Sequence, residues 1–326
     1  MTNTVSLSCH LPSQRLDTYI AGLQQDISRS QIQRLIREGH VRVNGRVARP
    51  SARLRQGDQI HIHLPDASPE GVVPEEFPLK IVYQDDQVVV VDKPAGLTVH
   101  PAPGHPHGTL VNALLARYPE LEGVGDRLRP GLVHRLDADT SGLMVIARTP
   151  LAHESLSRQI KERAITKVYL ALVRGHPEPS KGTVEAPIAR HPRSRQRMGI
   201  VPGGRYASTQ YCTLRLFRDS VPDTPQRRGR RAGLHQGAVG EGKKGYALLE
   251  VRPHTGRTHQ IRVHLSSLGH PVAGDVKYGG RVPFLRRQFL HAHRLGFRLP
   301  PTERYVEFTS PLPLDLEEAL GILAPG

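Results

Sequence analysis

Apolar runs in this chain are short and change their period often, the pattern of a mixed α and β fold. Near the N-terminus Ile32, Leu35 and Ile36 share one face of a helix from Arg29 to Glu38, which Ser28 can cap and Gly39 ends. A shorter helical stretch, Arg15 to Leu23, precedes it. Val41 to Val47 then alternates apolar and polar positions around Asn44-Gly45, a pair suited to two-residue hairpins, and Gln59 to Leu64 reads as a further strand. Together these elements make a small αβ unit over residues 14–64. Pro65 to Pro78 carries four prolines and four acidic residues without periodicity, so it reads as a linker between that unit and a larger domain over 79–326.

In the larger domain a turn at Asp85-Asp86 leads into Val88 to Val91, and further apolar runs occupy Leu143 to Ile146 and Lys167 to Arg174. Ala207 to Phe217 and Tyr246 to Arg252 read as partner strands, and the segments FLHAHRLGF and YVEFTSPLP add two more. Helical spacing appears at Gly108 to Arg117, Leu151 to Arg163 and Leu314 to Leu323. The expected class is α+β. Gly182 to Arg205 reads as a basic loop holding Arg190, Arg193, Arg195 and Arg197 near His191, a surface for phosphates. Residues 219–244, rich in Gly and Arg, read as a disordered insertion.

Charge narrows the class of partner. The 326 residues hold 45 Lys and Arg against 30 Asp and Glu, a formal charge of +15. Such a balance favours a polyanion, with nucleic acid ahead of an anionic membrane surface, because the chain has no apolar stretch of about 18 residues and no lipidation motif. The two cysteines, Cys9 and Cys212, are too far apart in sequence for a metal-binding spacing, which fits a reducing cytoplasm, and no secretory signal is expected. The 18 histidines are not tied to carboxylates or cysteines in a metal-like pattern, so no metal is expected.

Candidate chemistry concentrates at Pro130 to Ala147, PGLVHRLDADTSGLMVIA, where His134, Arg135, Asp137 and Asp139 abut the apolar run. Charges beside a buried strand need partners or a cleft. A second concentration, TGRTHQIRVHLSSLGHPVAGDVKYGG, places Arg262 between Ile261 and Val263, where a guanidinium needs a carboxylate. Asp137 is the expected partner. Arg257, in a Thr-Gly-Arg turn, is the expected phosphate or base contact, while Gly274-Asp275 and Tyr278-Gly279 read as a structural turn.

These words, with VVVVDKPAGLTVHPAPG and the KVYLALVRG of the later strand, closely resemble the signature segments of the RluA-type pseudouridine synthases, in the order that family has them. SRSQIQRLIREGHVRVNGR resembles the S4-like RNA-binding domain often found ahead of such enzymes. The resemblance implies the pseudouridine synthase fold, a mixed, mainly antiparallel sheet flanked by helices, with the S4-like unit at its N-terminus. It implies Asp137 as the catalytic carboxylate, Tyr169 against the target base, and Arg135 in the space vacated when the uridine leaves its stack. Arg262 would hold Asp137, either as nucleophile at C1′ or as base at C2′, and no cofactor is implied. In the S4-like unit the outward arginines Arg29, Arg34 and Arg37, with Arg46 on the hairpin, would meet phosphates. Lys93 reads as a turn lysine or a phosphate contact.

The branch most resembled acts on large-subunit ribosomal RNA, so 23S rRNA is the expected partner, with transfer RNA the alternative and a monomer the expected state. Two readings compete. A non-catalytic RNA-binding or assembly factor would not need Asp137, Tyr169 and Arg262 together. A glycoside hydrolase could use Asp137 with Asp139, yet the chain has no Trp and only 5% aromatics for stacking sugars.

Overall fold

A computed structural model describes residues 3–10, 14–23, 29–64, 72–102, 105–194, 196–218 and 245–324; of residues 29–31 and 34 it describes the backbone alone. The chain divides into two compact units, 1–71 and 72–326.

In the first unit β1 (Asn3–Ser8), α1 (Leu16–Leu23), α2 (Arg29–Arg37), β2 (Val41–Val43), β3 (Arg46–Val47) and β4 (Gln59–Leu64) follow in order. The strands form a sheet in the order β1-β4-β2-β3. Ile32, Leu35 and Ile36 bury their shared face with Leu16, Ile20, Val41, Ile60 and Ile62, while Asn44 and Gly45 take φ of 51° and 78° in the two-residue hairpin that their types favour. β1, which pairs along its whole length with β4, was not anticipated from the sequence. Ser28 and residues 65–71 of the linker lie outside the described residues.

The second half of that linker is tied down rather than free. Val72 belongs to the core of the larger unit, Val73 O accepts from Asn112 Nδ2 at 2.7 Å, and Glu75 receives the Gly108 N–H at 3.0 Å. The expected boundary at 78 therefore moves back to Gly71/Val72.

The larger unit contains β5 (Lys80–Gln84), β6 (Val88–Lys93), α3 (Leu110–Arg117), β7 (Gly125–Asp126), β8 (Arg129–Pro130), β9 (Ser141–Ala147), α4 (Pro150–Lys161) and β10 (Thr166–Arg174). After these come β11 (Lys181–Glu185), β12 (Ile188–Arg190), β13 (Met198–Ile200), β14 (Ser208–Phe217), β15 (Tyr246–Pro253), α5 (Gln260–Ser267), β16 (Leu290–Leu299), β17 (Arg304–Thr309) and α6 (Leu314–Gly321). One sheet runs β11-β14-β15-β10-β16-β9-β6-β5, with β17 also on β16. Its pairings are antiparallel except β9 with β16.

Both faces are covered, which explains the unbroken apolar runs. Val89 and Val91 of β6 enter one core with Met144 and Ile146 of β9, while Val88 and Val90 enter the other with Leu143 and Val145. Gly142 starts the parallel contact at a φ of 113°, and a Cβ there would strike the Ala292 carbonyl; only glycine lets β9 approach β16 this closely.

One further expectation needs correction. Gly182 to Arg205 is not a loop: β11 joins the sheet edge, and β12 and β13 pair as a hairpin. Its apolar positions Ile188, Met198 and Ile200 sit on strands of three residues, too short to show a period. Arg195 and the 219–244 insertion lie outside the described residues.

Candidate active site

Asp137 lies in the segment between β8 and β9, which has no regular hydrogen-bonded ladder of its own. Backbone and side-chain groups, most of them from distant parts of the chain, hold it instead. Gly96 N–H donates to Ala138 O at 3.0 Å and Thr140 N–H to Asp137 O at 3.1 Å. Arg287 Nη1 donates to Asp139 O at 3.2 Å, and the Ser141 hydroxyl meets His291 Nδ1 at 3.0 Å. Lys93, 1% exposed, is neither a turn lysine nor a phosphate contact. Its Nζ donates to Pro94 O, Leu97 O and Ala138 O, each at 2.8 Å. Burial pulls the Lys93 pKa down while the Asp139 and Asp137 charges pull it up; three carbonyls match the three protons of an ammonium.

The Asp137 side chain keeps 19% of its surface exposed, and Arg262 Nη1 donates to its Oδ2 at 2.8 Å. Among the described residues Oδ1 accepts no hydrogen bond. Arg262 comes from α5 and spans two carboxylates: Nε and Nη2 also grip Asp275, at 2.6 and 2.9 Å. Asp275 is 1% exposed and further accepts the N–H groups of Lys277 and Tyr278. Burial alone would lower the Arg262 pKa, but the Asp275 hydrogen bonds and both carboxylate charges raise it above its ordinary value. The sequence points to Asp137 as the partner and misses Asp275. A guanidinium has five N–H donors, so one carboxylate could not have satisfied it in the core, and that count was the available signal.

α5 opens on His259, which holds a left-handed backbone at φ 55°. Its Nδ1 is 2.8 Å from the Tyr278 hydroxyl, and that oxygen already accepts Met198 N–H at 2.9 Å. With the hydroxyl proton assigned to Nδ1, the imidazole proton is on Nε2, 3.9 Å from Asp137 Oδ2. The turn before it is fixed by Gln260, whose Oε1 accepts from Thr255 Oγ1 and Arg257 N and whose Nε2 donates to Ser208 O and Thr209 Oγ1.

A cavity of about 390 Å³ opens against these groups. Asp137, Tyr169, Arg262, Arg135 and Arg257 all line it, together with His134 and Lys167. Lys167 and Tyr169 stand two residues apart on β10, hence on one face of the strand. Burial and the Asp137 charge raise the Tyr169 pKa, so its hydroxyl keeps its proton. Arg37 and Arg46 are exposed on the small unit; the Arg29 and Arg34 side chains lie outside the described residues.

Three histidines at the cavity wall are neutral near pH 7. Burial takes His134 to about 3, aided by the Lys167 charge, and His134 Nε2 accepts the Val145 N–H at 3.1 Å. Burial takes His100 and His259 to about 4; Arg129 and Arg135 add to the effect at His100, while at His259 the Asp137 charge opposes it and Arg262 adds to it. The unfolded chain would take up protons at these groups near pH 6.5, which the folded chain refuses. Stability is thus full above roughly pH 6.5 and is lost toward pH 4, by about 1.4 kcal/mol per pH unit for each group. A melting temperature measured from pH 7 to pH 4.5 is expected to fall steadily; a level profile would contradict the neutral assignment.

Comparison with known proteins adds sequence and fold relatives. The family model described as RNA pseudouridylate synthase matches residues 87–267, and the S4 domain model matches residues 14–60. A Chloroflexus aurantiacus protein described as an uncharacterized RNA pseudouridine synthase is 49% identical, over 94% of this chain and 89% of the relative. The ribosomal large subunit pseudouridine synthase D of Pseudomonas aeruginosa is 39% identical, over 96% and 93%. Among solved structures, human RNA pseudouridylate synthase domain containing 1 superposes with a TM-score of 0.56 at 30% identity, covering 76% of this chain and 89% of the other.

Proposed function

The chain belongs to the RNA pseudouridylate synthase family, an isomerase family acting on RNA, and from that premise we propose that it isomerises specific uridines of 23S rRNA with Asp137 as the catalytic carboxylate. The observation that carries the residue assignment is the Asp137 carboxylate itself: Oδ2 is fixed by Arg262 at 2.8 Å, and Oδ1 is left to the cavity that Tyr169 lines. The substrate assignment rests on the relatives named for the ribosomal large subunit.

The reaction breaks the bond from uracil N1 to C1′, turns the base and rejoins it through C5. It needs a carboxylate at the sugar, a surface that holds the loosened base, and exclusion of water. Asp137 Oδ1 either attacks C1′ or takes the C2′ proton; a primary isotope effect from deuterium at C2′ would mark the second route. Tyr169, protonated and packed at the cavity wall, is the surface for the base. The target must leave its stack to reach it, and Arg135, exposed at the cavity, fills the vacated space. Arg257 at the cavity, with Arg37 and Arg46 on the S4 unit, takes phosphates.

No helix of the described residues is long and apolar enough to cross a membrane. The same proposal takes the enzyme as a monomer acting in the cytoplasm. The test is pseudouridine mapping, by carbodiimide-dependent primer-extension stops, on 23S rRNA and tRNA from cells with and without the gene. Stops lost from 23S rRNA and restored by the wild-type gene support the proposal. Stops lost only from tRNA would move the substrate, and no lost stop in either RNA would overturn the assignment.

A further inference from the structure

Beside the cavity three guanidinium groups gather without ion-pair partners among the described residues. Arg257 is at its wall, Arg205 precedes β14, and Arg163 lies just past the end of α4 in a left-handed backbone at φ 59°. Burial and the neighbouring charges of Arg205 and Arg163 push the Arg257 pKa down, so the three positive charges feel one another. Among the described residues none of the three makes an ion pair.

Tyr206 stands among them. The residue is 47% exposed, yet it is held at three points. The hydroxyl donates to Glu185 Oε1 at 2.6 Å, the main-chain carbonyl accepts Arg257 Nε at 3.1 Å, and the Arg163 guanidinium is 5.8 Å from the ring centroid. A single exposed tyrosine on a protein surface is ordinary. This one is immobilised amid like charges that repel each other, and the one carboxylate at hand, Glu185, is engaged by the Tyr206 hydroxyl and makes no ion pair with them. Rigid aromatic ring and unpaired guanidinium groups are what a single RNA strand uses, the ring for a base and the cations for the adjoining phosphates. Arg257 both lines the cavity and contacts Tyr206, so the strand position served is next to the one inside.

We propose that Tyr206 is the stacking platform for an unpaired base flanking the target uridine, with the phosphates on either side of that base held by Arg163, Arg205 and Arg257. The proposal rests on the reading of the chain as an RNA-modifying enzyme and assigns it a subsite outside the reaction pocket. Such a platform favours a target in a loop, where the flanking nucleotide is free to leave its stack.

The chain contains no tryptophan, which permits a test that does not depend on turnover. Tyr206→Trp, made in the otherwise intact protein, introduces the sole indole. Its emission is expected to be quenched, to saturation, by transcribed 23S rRNA. Emission that stays constant at RNA concentrations that shift the protein on a native gel would overturn the platform. In a tritium-release assay on the same RNA, Tyr206→Ala is expected to raise KM about 10- to 100-fold while kcat at saturation holds. Tyr206→Phe, which keeps the ring, is expected to recover most of that loss. An unchanged KM for Tyr206→Ala, or equal damage from Tyr206→Phe, would refute stacking. No tritium release by the wild type, with quenching intact, would refute the enzyme assignment and leave the platform standing.

Discussion

Asp137→Asn is expected to lower tritium release from 5-tritiated RNA by at least about 10³-fold while leaving RNA affinity within a few-fold of wild type. The substitution is nearly isosteric, and the amide oxygen can still accept from Arg262 Nη1, so the segment keeps its place. Arg262 stays neutralised by its two bonds to Asp275, and no buried cation is stranded. The melting temperature should therefore move little. Separate measurement of binding, melting and turnover keeps the outcome clear: a variant that turns over normally would remove Asp137 from the chemistry, and one that unfolds would show a structural role instead.

Asp275→Asn should damage both fold and activity. At 1% exposed, Asp275 is the carboxylate that compensates Arg262 in the core, and it also holds two N–H groups of the turn that carries Tyr278. Asp137 makes one bond to Arg262 and keeps 19% of its surface exposed, whereas Asp275 makes two and is buried, so loss of the Asp275 charge strips most of the compensation from the guanidinium, a change that costs about 3–5 kcal/mol in comparable pairs. In a domain of this size that corresponds to a fall in melting temperature of roughly 10 °C. Turnover should drop as well, because Arg262 is then free to swing and no longer fixes Asp137 Oδ2. Calorimetry beside single-turnover kinetics checks both halves. A variant that melts as wild type would show that Arg262 needs only one carboxylate.

Arg287, Gln288 and His291, which pin the Asp137 segment, follow it by about 150 residues, and nothing local in DADTSG foretells them. The features legible in the sequence are those with local causes. β-branched runs marked the central strands, Asn-Gly marked the first hairpin, and the apolar neighbours of Arg262 marked it as needing Asp137. Residues 260–267 show the limit in a different way. Apolar Ile261, Val263 and Leu265 alternate with Gln260, Arg262 and His264, which is a strand's period, yet the segment is helical. All six are buried, because hydrogen bonds satisfy the polar ones: Gln260 against β14, Arg262 on two aspartates, and His264 on Thr209 and Ala186. A helix buried on every side has no outward face to reveal its turn. The hairpin in Gly182 to Arg205 escaped for the opposite reason, being too short to have a period.

The distance between the Asp137 segment and its anchors also bears on how the protein is made. Ser141 meets His291 across 150 positions of chain, and the parallel pairing of β9 with β16 spans the same interval. At synthesis rates of about 5–20 residues per second, the ribosome has carried Asp137 for roughly 10–30 s before His291 exists. Arg287 and its own anchor, Asp315, arrive equally late. A nascent chain thus presents the carboxylate early but has no means of aiming it, and competence comes only after the stretch from Arg287 to Asp315 has left the exit tunnel and closed the sheet.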